Sequence, residues 1–289
     1  MDVIRKTLFE SGSLQIGLVE VRPRSDACGD VEQQSTNVMV LPVSGLFTKH
    51  EAPGRAMTGT SSHAVLVAAD TPYRVSFPGA IGDRALTLRF GADLVPGLMD
   101  GADTASHGLL PPDAMMLRSL LLTRLATRKA DAFEAETLGL DLLAASLRAT
   151  GPGASRSRRA TDVRQSRALE RVKEAVALAP SDNWNVARLA RIANLSSFHL
   201  CHVFRQITGT SLYRYVLRER LSSALAAVLD GGDDLTSIAL EAGFASHSHF
   251  TAHFRKFFGC TPAVLRRTAT VAGIAEFRKI VTASGRHPA

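Results

Sequence analysis

Over the first 110 or so residues, hydrophobic positions occur in short runs, some alternating with polar residues and others standing between turn-forming residues. The clearest runs cover residues 14–21, 37–41, 64–69, 73–77 and 85–90, with glycine, proline and aspartate between them. Short apolar segments separated by turn residues are typical of β-sandwiches and β-barrels. We therefore predict a β-rich N-terminal region.

From Pro112 the hydrophobic spacing becomes helical. Residues 113–128 and 131–148 carry leucine and methionine three and four positions apart, which predicts two antiparallel helices. Residues 150–160 combine glycine, proline and serine with like charges, a composition typical of a flexible linker. After this linker the pattern is helical almost to the end.

A sequence unit occurs twice in the helical part, at residues 189–209 and 238–259. Matching positions carry the same residue types, namely Ala190 and Ala239, Ser197 and Ser246, Phe204 and Phe254, and Gly209 and Gly259. A unit that recurs about fifty residues later is best interpreted as a structural module.

Each copy has the signals of a helix, a turn and a second helix. Asn185 and Asp234 are expected to cap the first helices, and Ser197 and Ser246 the second ones. Asn194 and Gly243 stand at the turns, where both residue types tolerate the left-handed conformation. Each copy is therefore predicted to be a helix-turn-helix.

A helical wheel assigns faces to the two second helices. The inward positions are Leu200, Val203, Phe204 and Ile207 in the first copy, and Phe250, Phe254, Phe257 and Phe258 in the second. Residues 212–229 between the copies predict one continuous helix, which would extend about 27 Å at 1.5 Å per residue. Such a rod could hold the two second helices near one DNA turn, about 34 Å, apart.

His249 and His253 stand four residues apart, the spacing of two metal ligands on one helix face. A closed zinc site needs about four ligands, and no cysteine or carboxylate lies at a matching spacing nearby. In the first copy, His199 takes the place of His249 without a histidine four residues later. The repeat therefore favours a role in a DNA-reading unit, and we expect no metal, no cofactor and no catalytic residues.

Net charge differs between the β-rich N-terminal part with its helix pair and the helical part that follows the linker. Residues 1–154 carry a net charge of −3, and residues 155–289 carry +10. A basic C-terminal part indicates contact with a polyanion, although a solvated arginine-rich surface explains the charge equally well. Three separated cysteines do not indicate a disulfide framework, and neither a signal peptide nor a membrane span is apparent, so we expect a cytoplasmic protein.

The repeated residues, from Leu189 to Pro262, strongly resemble the DNA-binding domain of AraC/XylS-type transcription regulators. The resemblance implies a regulator that binds double-stranded promoter DNA, most often activating transcription by contacting RNA polymerase. The DNA-contacting residues that it implies are Phe198, Cys201, His202, Arg205, Gln206, His247, Ser248, Thr251, Ala252, Arg255 and Lys256. His202 and Ala252 stand where arginine is common in the family, which puts direct guanine recognition there in doubt.

The N-terminal part resembles, less specifically, the cupin-like regulatory domain of this family, through residues 42–45 and 72–76. The resemblance implies a β-barrel that binds a small effector and a homodimer formed through residues 113–148. The fold class is then α+β, with a regulatory domain (1–149), a linker (150–162), a DNA-binding domain (163–267) and a C-terminal extension (268–289). Nothing in the sequence identifies an effector.

Two other functions remain as alternatives. A cupin-type enzyme carrying a DNA-binding module would need a ligand cluster in residues 1–110, but His50 and His63 stand alone there. A DNA-repair protein with this type of domain would need a reactive cysteine in a cysteine-rich N-terminal segment, where Cys28 is single.

Overall fold

The computed structural model describes residues 1–52, 55–95, 107–150 and 163–271. A β-rich N-terminal domain is followed by a helix pair and an all-helical C-terminal domain, which is the predicted α+β class. The predicted linker beyond Thr150 and most of the predicted C-terminal extension lie outside the described residues. The three boundaries between the four predicted segments stay predictions. In the described part, no helix is long and apolar enough to span a membrane.

The described strands form two antiparallel sheets. The larger sheet has the order β1-β2-β8-β3-β6-β9, and its strands are Asp2–Glu10 (β1), Leu14–Arg22 (β2), Asn37–Gly45 (β3), His63–Val67 (β6), Asp83–Phe90 (β8) and His107–Leu109 (β9). The smaller sheet has the order β5-β4-β7, with Phe47–Ala52 (β4), Arg55–Gly59 (β5) and Arg74–Ser76 (β7).

The two sheets do not close into one barrel, so the predicted cupin-like barrel is wrong on this point. Strands β5 and β6 follow each other in the chain but belong to different sheets. The turn between them, Thr60 to Ser62, directs polar groups to helices. Ser61 O accepts from Arg118 and Ser222, and the hydroxyl groups of Thr60 and Ser62 both donate to Glu219. The chain passes from one sheet to the other at this turn, where the backbone carbonyl oxygen of Ser61 is bonded to side chains and not to a neighbouring strand.

Side chains along the larger sheet alternate between two faces, as a pleated strand requires. Leu14 and Ile16 of β2, and Leu86 and Leu88 of β8, are buried against the helix pair. Their neighbours Val19, Ala85 and other residues of the opposite face look toward the smaller sheet.

The helix pair consists of Pro112–Ala126 (α1) and Ala132–Thr150 (α2). Helix α1 is buried continuously from Ala114 to Leu122, because it packs against α2 on one side and against helices of the C-terminal domain on the other. Arg118 lies inside this layer and donates to the carbonyl oxygens of Pro42 and Ser61. Burial lowers the pKa of Arg118 to about 10, and the guanidinium therefore stays charged.

The C-terminal domain comprises seven described helices: Val163–Leu178 (α3), Val186–Ala193 (α4), Ser197–Thr208 (α5), Leu212–Asp230 (α6), Leu235–Glu241 (α7), His247–Phe258 (α8) and Pro262–Val271 (α9). The first helix-turn-helix is α4–α5 and the second is α7–α8. Helix α6 is continuous over the predicted range and ends at Gly231, which adopts a left-handed φ of 73°.

Candidate nucleic-acid interface and a cavity in the N-terminal domain

In the first helix-turn-helix, local side chains fix both ends of the short helix. Asn185 caps α4 by accepting a hydrogen bond from Arg188 N, and Asn194 ends it in the left-handed region at φ 56°. Both assignments confirm the sequence prediction. The cap of α5 is Ser196, whose side chain accepts from His199 N, so the prediction of Ser197 was wrong by one residue. Ser197 is already helical, because the extended backbone that a cap needs occurs at Ser196.

The second unit repeats this construction with different residues. Asp234 caps α7 by accepting from Thr236 N and Ser237 N, and these bonds lower the pKa of its carboxyl group. Gly243 turns the chain at φ 80°, and a Cβ there would lie 2.6 Å from Ser181 O. Ser246 caps α8, as predicted. Asp234 and Gly243 likewise have the predicted roles.

The inward faces of α5 and α8 (the reading helices) are buried at six of the eight predicted positions, and Ile207 and Phe257 are half-buried. Leu200 and Phe204 in α5, and Phe250, Phe254 and Phe258 in α8, each have 0% of their surface exposed. The outward faces of both helices are therefore left to solvent.

All eleven residues assigned to DNA contact lie on these outward faces or their flanks. Ten are exposed and Thr251 is half-buried; the exposed ones are Phe198, Cys201, His202, Arg205, Gln206, His247, Ser248, Ala252, Arg255 and Lys256. Phe198 is 84% exposed, and its ring stacks on His202 with the centroids 6.5 Å apart. His247 Nε2 lies 3.4 Å from Thr251 Oγ1 one turn along α8.

Two arginines of α6, the helix that links the two units, bond to backbone carbonyl oxygens of the protein. Arg218 is buried and bonds to Leu110 O, and Arg220 donates to the carbonyl oxygens of Pro180 and Asp182. Arg218 thus joins the C-terminal domain to the N-terminal part and Arg220 bonds within the C-terminal domain, whereas Arg205 and Arg255 point outward from the reading helices. The geometry thus separates structural arginines from those on the exposed face.

A helix-turn-helix domain model matches residues 189–268, the segment that contains both units. The probable transcription factor PqrA of Proteus vulgaris is 31% identical over 94 residues, covering 32% of this chain and 77% of PqrA. The chain belongs to the AraC/XylS-type family of transcription regulators.

Other relatives match over the same domain. The virulence regulon transcriptional activator VirF of Yersinia enterocolitica is 33% identical over 85 residues, covering 29% of this chain and 31% of VirF. This AraC/XylS-type chain spans about a third of the length of several curated regulators that it matches. The solved structure of ToxT from Vibrio cholerae is 15% identical, covers 89% of this chain and 99% of ToxT, and has a TM-score of 0.37.

His249 and His253, which stand four residues apart on α8 of this AraC/XylS-type domain, pack against each other and against a phenylalanine. The rings of His249 and His253 meet edge to face at 4.6 Å, and Phe244 lies against both. Burial, with the nearby positive charges of His249 and Lys256, lowers the pKa of His253. Within the ranges that the structure describes, no group of three or more residues suited to binding a metal occurs.

A cavity of about 120 Å³ lies between the two sheets, and no pattern in the sequence indicated which residues line it. Its wall is rich in valine but also carries charged and polar side chains, among them Arg5, Glu32, Lys49, Asp83 and Arg89. An alternating strand would present such residues on one face, yet which strands share a cavity depends on pairing between distant segments.

Lys49 is the buried cation of this cavity, with 2% of its surface exposed. Its Nζ lies 2.8 Å from Glu51 Oε1 and 3.3 Å from Leu66 O, and 5.6 Å from the centre of the Tyr73 ring. Asp83 lines the same cavity, and burial raises its pKa to about 7. Near neutral pH this carboxyl group is therefore partly protonated, which leaves the basic side chains less compensated.

His50 and His63 also take part in local packing. His50 Nε2 lies 2.8 Å from Ser76 Oγ on the neighbouring strand β7. His63 is 3% exposed and bonds to Thr60 across the turn before β6. His50 is thus half-buried in β4, and His63 is buried beside a turn.

Proposed function

We propose that this protein is a sequence-specific DNA-binding transcription regulator whose two reading helices enter successive major grooves. The observation that carries the proposal is the pair of capped helix-turn-helix units, each with an exposed outward face, at the two ends of α6. Helix α6 has 19 residues and hence a length of about 28 Å. This length suits units that read grooves about one turn apart on the same side of a duplex.

The outward residues divide into two chemical roles. Arg205, Arg255 and Lys256 are suited to phosphate contact, which fixes register on DNA without reading sequence. Phe198 presents an apolar ring that suits the methyl group of thymine, and His202 and Ser248 can hydrogen-bond to base edges. Because Ala252 offers neither charge nor a hydrogen bond, α8 is proposed to position more than to discriminate.

Activation through contact with RNA polymerase is part of the proposal. It is supported by the match to VirF, which is named a transcriptional activator. The alternative of a cupin-type enzyme has no comparable support, since PqrA and VirF are both named as transcription proteins.

We also propose that the protein forms a homodimer through residues 113–148, and specifically through the outer face of α2. Helix α1 is covered on all sides from Ala114 to Leu122, which leaves α2 to meet a second copy. On α2, Phe133 is 80% exposed, and Ala144 lies on the same side, eleven residues later. Sedimentation that shows monomers at every concentration would contradict this contact.

The cavity is the proposed effector site. Its valine-rich wall suits an apolar body, and Arg5, Lys49 and Arg89 suit a single anionic group. Thermal unfolding tests this ligand class with phenylacetate and phenethylamine, which have similar size and opposite charge. We expect the anion to stabilise the protein more, and stabilisation by the amine alone would contradict the assignment.

DNA binding is tested with duplex DNA from upstream of the chain's own gene, at several salt concentrations. We expect affinity to fall steeply with salt, and Arg205→Ala and Arg255→Ala each to weaken binding about tenfold and to reduce the salt slope by about one. Arg74→Ala, an exposed arginine on β7, serves as the matched control and should leave affinity unchanged. Wild-type protein that ignores this DNA at low salt would remove the proposal.

A further inference from the structure

The β4–β5 hairpin (strands β4 and β5, which pair with each other) separates the cavity from the C-terminal domain. On β4, Phe47 and Lys49 line the cavity, while Thr48 between them points to the other side. On β5, Thr58 lies opposite Thr48, with their hydroxyl oxygens 3.3 Å apart. One face of the hairpin is thus cavity wall, and the other meets helix α3.

Helix α3 receives the first of two attachments. Thr48 Oγ1 and Thr58 Oγ1 donate to Glu174 Oε1 at 3.1 Å and 3.3 Å, and Thr58 N donates to Glu170 Oε2 at 2.6 Å. Both threonines are buried. Because α3 shares its apolar core with α4 and α5, these bonds connect the hairpin to the first helix-turn-helix.

The turn that follows β5 makes the second attachment, to α6. Thr60 Oγ1 donates to Glu219 Oε1 at 2.8 Å, and Ser62 Oγ donates to the same oxygen. Ser222 Oγ in turn donates to Ser61 O at 2.9 Å. Glu219 has 2% of its surface exposed, so moving this turn away would leave a buried carboxyl group without its donors.

Phe47 links the cavity to both attachments. A Cβ at Gly59 would lie 2.9 Å from two carbon atoms of the Phe47 ring, so the ring lies directly against the end of β5. Gly59 immediately precedes Thr60. A displacement of Phe47 by a molecule in the cavity must therefore move the strand end that holds α6, because close-packed contacts transmit displacement.

We propose that the β4–β5 hairpin and the Thr60–Ser62 turn transmit occupancy of the cavity to the reading helices, and so set the affinity of the protein for DNA. This inference rests on the proposed DNA-binding function and adds its regulation. The hairpin reaches the first unit through α3, and the turn that follows it contacts α6, the helix between the two units. Movement of the hairpin therefore changes the position of one reading helix relative to the other. A ligand shifts such an equilibrium through its different affinity for the two arrangements.

The test fills the cavity by mutation, which needs no knowledge of the ligand. Val19→Phe adds volume from β2, and Ala85→Leu adds it from β8; both residues line the cavity and neither lies on the hairpin. With duplex DNA from upstream of its own gene, the full chain carrying either substitution should bind with a dissociation constant changed fivefold or more, the lower range for coupled sites. Thermal unfolding of each variant shows whether it is folded at the assay temperature.

The same fillers are then placed in chains whose attachments are weakened. Thr48→Val with Thr58→Val removes the donors to Glu174, and Thr60→Val with Ser62→Ala removes the donors to Glu219. In these backgrounds the effect of filling should shrink to less than twofold. The matched control backgrounds, in which the full effect should persist, are Thr7→Val with Thr71→Val, and Thr36→Val with Ser35→Ala, all at exposed positions.

The outcomes separate the two proposals. Folded fillers that leave DNA affinity within twofold, or that change it equally in the weakened and control backgrounds, would overturn the inference while the DNA-binding function stands. Wild-type protein that does not bind the duplex at low salt would remove the proposed function, and the inference with it.

Discussion

The two helix-turn-helix units have the same local construction and different cores. The first unit packs on α3, in a cluster that contains Leu169, Leu189, Phe204 and Tyr215 and is made mainly of residues of the C-terminal domain. The second unit packs Phe250, with its neighbours in α8, in a cluster that continues through α1 into the larger sheet. One unit is therefore largely self-contained, and the other shares its core with the N-terminal domain.

This difference indicates how one repeated module can serve two purposes. Helix α1 contacts both α6 and α8, so the N-terminal domain supports the second reading helix directly. The first reading helix is reached through α3 and the hairpin contacts of Glu170 and Glu174. A change in the N-terminal domain therefore acts on the two helices through separate routes, one apolar and one polar.

Truncation of one core phenylalanine in each unit gives the largest expected effect. Phe204→Ala and Phe254→Ala both remove a fully buried ring and should each cost about 3–5 kcal/mol of unfolding free energy. Trp184 packs on the first cluster, so its fluorescence reports that unit during urea unfolding. We expect Phe204→Ala to shift the fluorescence transition, and Phe254→Ala to shift the far-ultraviolet circular dichroism transition more than the fluorescence one.

Leu240→Ala is the control for this comparison, because its side chain is 57% exposed and its loss should change stability little. If both signals shifted together for both variants, the chain would unfold as one cooperative unit. The distinction between a self-contained and a shared core would then have no thermodynamic meaning.

The turns offer a second comparison of the two units. Gly243→Ala should destabilise the protein by at least about 2 kcal/mol, because alanine is strained at positive φ and its Cβ would approach Ser181 O. Asn194→Ala should cost about 1 kcal/mol, the strain alone. Asn194→Gly is the control and should be nearly neutral. Equal losses from the two alanine variants, measured by chemical unfolding, would contradict the close approach at Gly243.

Local chemistry explains why both units could be predicted from the sequence. Caps such as Asn185 and Asp234, and turn residues such as Asn194 and Gly243, act within a few positions of their partners. The inward faces of α5 and α8 follow from helical spacing alone. The predicted strands at residues 14–21, 37–41 and 85–90 were likewise found, because a short apolar run between turn residues is a local pattern.

Long-range pairing explains what the sequence could not supply. Strands β1, β4, β5 and β9 were not predicted. Side chains of the first three alternate between solvent, cavity and α3 and not between solvent and one core, and β9 has only three residues. The contact of Thr60 with Glu219 joins residues 159 positions apart. No periodicity within either segment indicates such a partner, and the closure of a barrel depends on the same kind of distant pairing.

The smallest expected effect concerns the residue that caps each reading helix. Ser196→Ala and Ser246→Ala should each cost about 1 kcal/mol, because each removes the acceptor of a backbone N–H in the first turn, that of His199 and His249 respectively. Ser197→Ala is the matched control: it lies one residue inside α5, where alanine is favourable, so stability should stay within about 0.5 kcal/mol. Chemical unfolding measures all three. If Ser197→Ala lost as much unfolding free energy as Ser196→Ala, the helix cap would be Ser197, as the sequence repeat predicted, and not Ser196.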